Sequence, residues 1–230
     1  MRDHLRAKIQ LMLGRYEKLE LTDSWLYKQL KTWSKDEQWL KSTADTFTQV
    51  KNSEKIFDVV GQMAKEEADH RLLTAFAEYD TAIRLTDWAQ NFFGEFTEAE
   101  YLPRKNKGQP DFRALSKGEV VPIETKTFKG TEDIESAKFN AKVIKKLERE
   151  ALPQLKSFYE ETPFGRGIIF IWTQQHVLAD DTRHNSYTDL ERTIREQIDG
   201  KDLTFDVQLI ILFANPLDLW DFYIQGRLNT

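Results

Sequence analysis

The chain has 230 residues, no cysteine, 31% charged residues and a net charge of −5 at pH 7. The lack of cysteine excludes disulfides, thiolate metal sites and a cysteine nucleophile, and the acidic balance argues against a protein that coats DNA through general basicity. The length suits one domain with an extension or two small domains. No long apolar run or signal-peptide pattern is present, so we expect a cytoplasmic protein.

Residues 1–52 are predicted to form helices. Apolar residues recur there at helical spacing: Leu5, Ile9, Met12, Leu13, Tyr16, Trp25, Leu26, Leu30 and Trp33. Ser34 and Glu37 match a capping box that would open a further helix. The aromatic residues favour a packed core or an interface over a platform for stacking bases. These helices could therefore serve a homodimer, a partner protein or a lid over an active face.

Residues 54–93 are predicted to be helical in one or two pieces, ending near Gly94. A first strand is expected over residues 96–102. The link that follows is basic and rich in turn formers, and its cations are Arg104, Lys105 and Lys107. A basic link of this kind can contact a phosphate backbone or simply be solvated, and both interpretations stay open.

A predicted β-hairpin over residues 109–126 is the most informative stretch. Side-chain character alternates on both sides of a turn at Lys117-Gly118, as is typical of two paired strands. Gly118 can take the positive φ that a two-residue loop requires. With that loop, Asp111 faces Glu124 across the pair. A one-residue bulge at the turn would offset this register.

The hairpin places charged groups on one face, because Lys126 lies two residues beyond Glu124. Two carboxylates that face each other repel, and a divalent cation between them removes the conflict, since Mg²⁺ takes oxygen ligands from one or two carboxylates, phosphate and water. The lysine could then stabilise charge or hold an attacking water. The alternative is a surface hairpin whose Asp, Glu and Lys form solvated ion pairs.

A helix is predicted after the hairpin, with Thr131 as its cap and Glu132 as its first residue. Its apolar side includes Ile134. A nearly opposite stripe is basic and consists of Lys138, Lys142, Lys145, Lys146 and Arg149. Pro153 is expected to kink or end this helix. The stripe could follow a phosphate backbone or be a solvated helix surface.

Two continuous apolar runs, residues 167–172 and 207–213, suit strands that are buried on both faces. Together with the helices between them, these runs predict an α/β fold with a mixed central sheet.

Pro110-Asp111 followed by Glu124-Thr125-Lys126 resembles the signature of the PD-(D/E)XK nuclease superfamily, also called restriction-endonuclease-like. The resemblance implies an α-β-β-β-α-β core over residues 53–230, with residues 1–52 as a helical extension. It also implies that Asp111, Glu124 and the backbone carbonyl of Thr125 bind Mg²⁺, for which Mn²⁺ would substitute, and that Lys126 assists the attacking water.

Further roles follow from the same resemblance. The helix before the first strand often supplies another acidic ligand in this superfamily, which points to Glu78, with Glu67 as second choice. Gln154 and Tyr159 resemble the Gln-to-Tyr helix motif of some branches, although packing explains Tyr159 equally well. The expected function is Mg²⁺-dependent hydrolysis of phosphodiester bonds, with DNA favoured. The alternatives are a non-catalytic protein of this fold that binds nucleic acid or a partner protein, and an unrelated α/β interaction domain.

Overall fold

The computed structural model describes residues 2–58, 68–88, 96–103, 108–128, 134–173, 177–178, 183–198, 203–213 and 219–224. The fold is α/β, as predicted, and the chain divides into two compact units. The first unit comprises Met1–Pro103 and Ala114–Lys117, and the second comprises Arg104–Arg113 and Gly118–Thr230. The boundary predicted between residues 52 and 53 lies inside the first unit. No described helix is long and apolar enough to span a membrane.

The first unit is mainly helical. Its helices are α1 (Arg2–Lys18), α2 (Trp25–Trp33), α3 (Glu37–Gln49) and α4 (Ala68–Ile83), the last continued by a π-helical turn (Arg84–Trp88). Strand β1 (Val50–Lys51) pairs in parallel with β2 (Phe96–Tyr101). The helices predicted for residues 1–52 are therefore present, but residues 50 and 51 form β1 and not the end of a helix. Strand β2 corresponds to the strand predicted over residues 96–102.

The N-terminus of α3 corrects one local prediction. Asp36, rather than Ser34, is its N-cap, and the Asp36 carboxylate accepts a hydrogen bond of 2.9 Å from the backbone N–H of Trp39. Ser34 instead ends α2, where its hydroxyl donates to the carbonyl of Lys31 at 2.8 Å. Both residue types favour helix caps, and here each serves a different helix.

Aromatic side chains form the core of the first unit, in line with the preference for packing over base stacking. The rings of Trp33 and Trp39 stack with centroids 5.2 Å apart, and Phe76 meets Trp33 edge-on at 4.7 Å. Tyr79 packs edge-on against Trp39 and is hydrogen-bonded to Thr43. Burial raises the pKa of Tyr79 to about 12, because a phenolate would lose its hydration there.

The next strands in the chain are β3 (Phe112–Ser116), of which residues 114–116 belong to the first unit, β4 (Glu119–Thr127), β5 (Ile134–Glu135), β6 (Arg166–Thr173), β7 (Val177–Leu178), β8 (Asp206–Phe213) and β9 (Leu219–Ile224). The second unit is built on a mixed sheet in which the order of its strands is β4-β6-β8-β9. Strands β4, β6 and β8 are parallel, and β9 runs antiparallel to β8. A separate parallel pair is formed by β5 and β7. The two apolar runs are the buried strands β6 and β8.

Helices α5 (Ser136–Lys146) and α6 (Leu152–Glu161) join β5 to β6, and α7 (Arg183–Ile198) precedes β8. Helix α5 begins at Ser136 and not at the predicted Glu132, because Ile134 and Glu135 pair with β7. The predicted cap, Thr131, lies outside the described residues. A core of side chains from the helices and from β6 and β8 fills the unit, including Val143, Leu147, Leu155, Ile169 and Leu209.

Pro153 does not end the helical segment. A π-helical turn (Leu147–Ala151) connects α5 to α6 without a break, and Pro153 lies in the first turn of α6. Proline lacks an N–H and its ring clashes with the carbonyl four residues earlier, so a regular α-helix would be strained at this point. The wider π turn changes the hydrogen bonding just before the proline, and the helical path continues.

Candidate functional site

The predicted hairpin is present, with a two-residue loop. Strand β3 ends at Ser116 and β4 begins at Glu119. Lys117 and Gly118 both have positive φ, 53° and 85° respectively, which is the requirement of the mirror-image turns that match the twist of paired strands. The loop is therefore the one that the sequence predicted.

The structure brings Asp111 and Glu124 together, although Asp111 directly precedes β3 rather than belonging to it. Both residues are 0% exposed. The backbone N–H of Asp111 donates to Glu124 Oε2 at 3.3 Å, and the N–H of Thr125 donates to Asp111 Oδ2 at 2.8 Å. Backbone donors thus fix one oxygen of each carboxylate, which orients the two groups relative to the start of β3 and the centre of β4.

Lys126 completes the cluster. Its ammonium group donates to Glu124 Oε1 and to Gln154 Oε1 on α6, and the residue is only 7% exposed. Glu124 and Lys126 are two residues apart on β4 and share one face of the strand. Their register partners on β6 are Ile169 and Ile171, which belong to the core beneath α5 and α6. The charged cluster therefore lies on the helix-covered face of the sheet.

The two members of the Gln-to-Tyr pair have different surroundings. Gln154 contacts the Lys126 ammonium group. Five residues later, at about 140° around the helix, Tyr159 packs against Phe164 and Phe205 with ring centroids 5.3 and 5.4 Å apart. Gln154 belongs to the cluster, whereas Tyr159 belongs to the aromatic packing of the core.

Gly108 is a residue of the site region that sequence reasoning missed. Its φ is +93°, and a Cβ at this position would lie 2.4 Å from the Ser157 hydroxyl oxygen on α6. Only glycine permits both the conformation and the close approach. Ser157 follows Gln154 by three residues, so the segment leading into Asp111 passes over the same side of α6. An isolated glycine just before Pro110-Asp111 was the available signal.

Glu78, predicted as a further metal ligand, lies in the first unit. It is 3% exposed on α4, and its Oε2 accepts a 2.8 Å hydrogen bond from the Tyr101 hydroxyl. The second choice, Glu67, lies outside the described residues. Across the part of the chain that the structure describes, no group of three or more His, Cys, Asp or Glu residues is arranged to hold a metal ion. The carboxylates that the cluster itself offers to a metal ion are those of Asp111 and Glu124.

The predicted basic residues fall into two groups. Arg104, Lys105 and Lys107 lie outside the described residues. The structure describes every residue of the stripe on α5 and the following turn. Lys138 contacts Glu135 at 3.1 Å, and Lys146 contacts Glu150 at 2.8 Å. The other members are the half-buried Lys142 and the exposed Lys145 and Arg149.

Comparison with known proteins finds no match to this chain among family models, curated proteins or solved structures. The motif residues and the contacts that they make are therefore the features that indicate a function.

Proposed function

We propose that the protein is a Mg²⁺-dependent nuclease of the PD-(D/E)XK type, which hydrolyses phosphodiester bonds with DNA as the favoured substrate. The observation that carries this proposal is the meeting of Asp111, Glu124 and Lys126 in one buried cluster. These residues are the ones that the motif requires. Burying three ionisable side chains at one point lowers the stability of the fold unless they pair with one another or bind a ligand.

The order of the elements supports the same proposal. Helix α4 is followed in the chain by β2, β3 and β4, then by α5 and α6, and then by β6. Apart from the short β5, this succession is the α-β-β-β-α-β order expected for a restriction-endonuclease-like core. The parallel pairing of β4 with β6 across the helical connection agrees with a mixed sheet.

The donor set fits Mg²⁺. In their ionised forms Asp111 and Glu124 carry two negative charges and Lys126 one positive charge, so these three side chains together are negative. Mg²⁺ is commonly held by one or two carboxylates, with water and substrate phosphate as the remaining ligands. The N–H and C=O of a strand residue point to the same edge, and the N–H of Thr125 points to Asp111. The Thr125 carbonyl is therefore oriented as a third oxygen donor on that side.

Each residue then has a defined task. Asp111 and Glu124 hold the cation, and the backbone donors described above keep their oxygens in place. When bound, Mg²⁺ polarises the phosphate and lowers the pKa of a bound water. The Lys126 ammonium group supplies positive charge close to the reacting phosphate, where negative charge develops, or orients the water. Gln154 holds that ammonium group through its side-chain oxygen.

The substrate must also be bound by an acidic protein. The exposed Lys145 and Arg149 lie on the segment that runs from α5 into α6, and α6 carries Gln154. In the proposed complex this stripe follows the phosphate backbone while the cluster acts on one phosphodiester. Lys138 and Lys146 contribute less, because each already contacts a glutamate.

One observation favours the non-catalytic alternative. Asp111 and Glu124 are 0% exposed, and Lys126 is satisfied by Glu124 and Gln154. A cluster of this kind can also serve as a buried polar network that fixes the hairpin against α6. In that case the protein would bind nucleic acid or a partner protein without cleaving anything.

A substrate panel distinguishes the two functions. Purified protein is incubated with plasmid, linear duplex, single-stranded DNA and RNA, each with Mg²⁺, with Mn²⁺ and with EDTA. The proposal expects cleavage of at least one DNA substrate with either metal and none with EDTA. Binding of nucleic acid without cleavage of any substrate would support the non-catalytic alternative and overturn the proposal.

A further inference from the structure

The solvent side of α2 is a basic surface that the proposed catalytic site does not use. Lys28, Lys31 and Thr32 lie at helical spacing on α2, Lys35 lies in the turn directly after it, and all four are exposed. Leu26 and Leu30 point to the opposite side, where they are buried. We call the four exposed residues the α2 lysine face. They line a concavity of about 460 Å³ together with Asp36.

The lysines of this face have no carboxylate partner among the described residues. This distinguishes them from Lys8, which contacts Asp58 at 2.7 Å, and from Lys51, which contacts Glu100 at 3.6 Å. Lys31 lies over the ring of Tyr27, with the ammonium group 5.8 Å from the ring centroid. A cation–π contact of this kind does not neutralise the charge.

The sequence around α2 offers no compensating charge either. No acidic residue occurs between Asp23 and Asp36. Asp36 itself borders the concavity, but its carboxylate caps α3 through the N–H of Trp39. Lysines three or four residues apart on a helix repel one another. A concentrated positive charge on a protein with a net charge of −5 therefore points to an anionic ligand.

The spacing of the charges indicates the class of ligand. Lys28 and Lys31 are three residues apart on α2, about 4.5 Å along the helix axis, and Lys35 lies in the turn that follows α2. One strand of a nucleic acid carries a phosphate about every 3.4 Å along the duplex axis, so one backbone offers a separate phosphate to each of the three lysines that line the concavity. We infer that the α2 lysine face binds the phosphodiester backbone of a nucleic acid. The choice of nucleic acid rests on the proposed nuclease function, whereas the binding itself requires no catalysis.

The experiment measures the salt dependence of binding in EDTA. The 230-residue protein is titrated into fluorescein-labelled single-stranded and duplex oligonucleotides at 50, 100 and 200 mM KCl, and fluorescence anisotropy gives the Kd. The test variant is Lys28→Gln/Lys31→Gln/Lys35→Gln. The control variant, Lys41→Gln/Lys51→Gln/Lys55→Gln, removes the same charge from exposed lysines elsewhere in the first unit.

Three lost phosphate contacts should reduce the salt slope by about 2 units for a single strand and about 2.7 for a duplex. Raising the salt from 50 to 200 mM should therefore weaken the parent about 20- to 40-fold more than the test variant. The control should keep the parent's slope. A parent that does not bind, equal slopes for parent and test variant, or an acidic peptide that competes as well as an oligonucleotide of equal charge would each overturn the inference.

Cleavage with Mg²⁺ is measured in parallel on the same proteins. Cleavage by the parent together with equal slopes would leave the nuclease proposal standing and remove the inference about α2. A flatter salt slope in the test variant, together with no cleavage by any of the proteins, would support the inference about α2 and overturn the nuclease proposal.

Discussion

Replacing Lys126 by methionine tests whether the buried cluster forms in solution as described. Methionine keeps a long unbranched side chain and removes the charge. The Lys126 side chain is 8% exposed and that of Glu124 is 0% exposed, so water screens the pair little. Removing one partner of a buried ion pair typically costs about 3–5 kcal/mol, because the other charge is left uncompensated. For a chain of this size that corresponds to a fall in Tm of about 6–20 °C.

The assay is thermal and urea unfolding of the parent, of Lys126→Met, of Glu124→Gln and of Lys126→Met/Glu124→Gln, each with and without Mg²⁺. The double variant has no buried Glu124 charge and should recover part of the lost free energy of unfolding. Mg²⁺ should raise the Tm of Lys126→Met more than that of the parent, because the cation replaces the missing positive charge. It should not stabilise the double variant, and Lys145→Met serves as an exposed control.

Two results would show that Lys126 and Glu124 do not form a buried ion pair. A loss below about 1 kcal/mol in Lys126→Met would resemble an exposed ion pair rather than a buried one. A double variant whose loss equals the sum of the single losses would show that Lys126 and Glu124 do not interact.

Three further predictions concern the surroundings of the cluster. Gly108→Ala should lower the free energy of unfolding by more than the roughly 1–2 kcal/mol of left-handed strain, because its Cβ would also meet Ser157. In urea denaturation, adding Ser157→Gly to this variant should recover only the part of the loss that the clash with Ser157 causes. Gln154→Leu should raise the Mg²⁺ concentration needed for half-maximal cleavage, since the Lys126 ammonium group then pairs with Glu124 alone and competes more strongly with the cation. An unchanged Mg²⁺ dependence would argue against the contact between Gln154 and Lys126. A variant in which glutamate replaces Lys142, Lys145 and Lys146 of the α5 stripe should bind nucleic acid more weakly at low salt and show a flatter salt slope, measured by anisotropy. If this variant binds as tightly as the parent at every salt concentration, the stripe is only solvated surface.

Local rules were sufficient for the hairpin and for part of the cluster. Gly118 supplies a positive φ at the loop, and the alternation of a strand places Glu124 and Lys126 on one face. The burial of β6 and β8 follows from their continuous apolar sequence. Each of these features depends on residues close together in the chain, so the sequence carries enough information to predict it.

Other features depend on partners far away in the chain. Helix α5 begins late because Ile134 pairs with Val177, which no local pattern reveals. The close approach of Gly108 to Ser157 likewise joins residues that are far apart in the sequence. Ser34 and Asp36 both belong to residue types that favour an N-cap. Because α2 extends to Trp33 and Ser34 is its C-cap, Asp36 becomes the N-cap of α3. In these places tertiary contacts override local preference.

The proposed metal site is tested by the rate of DNA cleavage as a function of Mg²⁺ concentration for the parent and for Glu124→Gln. The amide keeps the size of the side chain and removes the proposed metal ligand. Loss of an outer partner of a metal already costs 10- to 100-fold, so loss of a direct ligand should lower the rate at least about 100-fold. Glu161→Gln, an exposed position on α6, should cleave like the parent. A folded Glu124→Gln protein that cleaves DNA at the parent's rate with the same Mg²⁺ dependence would contradict the proposal that Glu124 is a metal ligand.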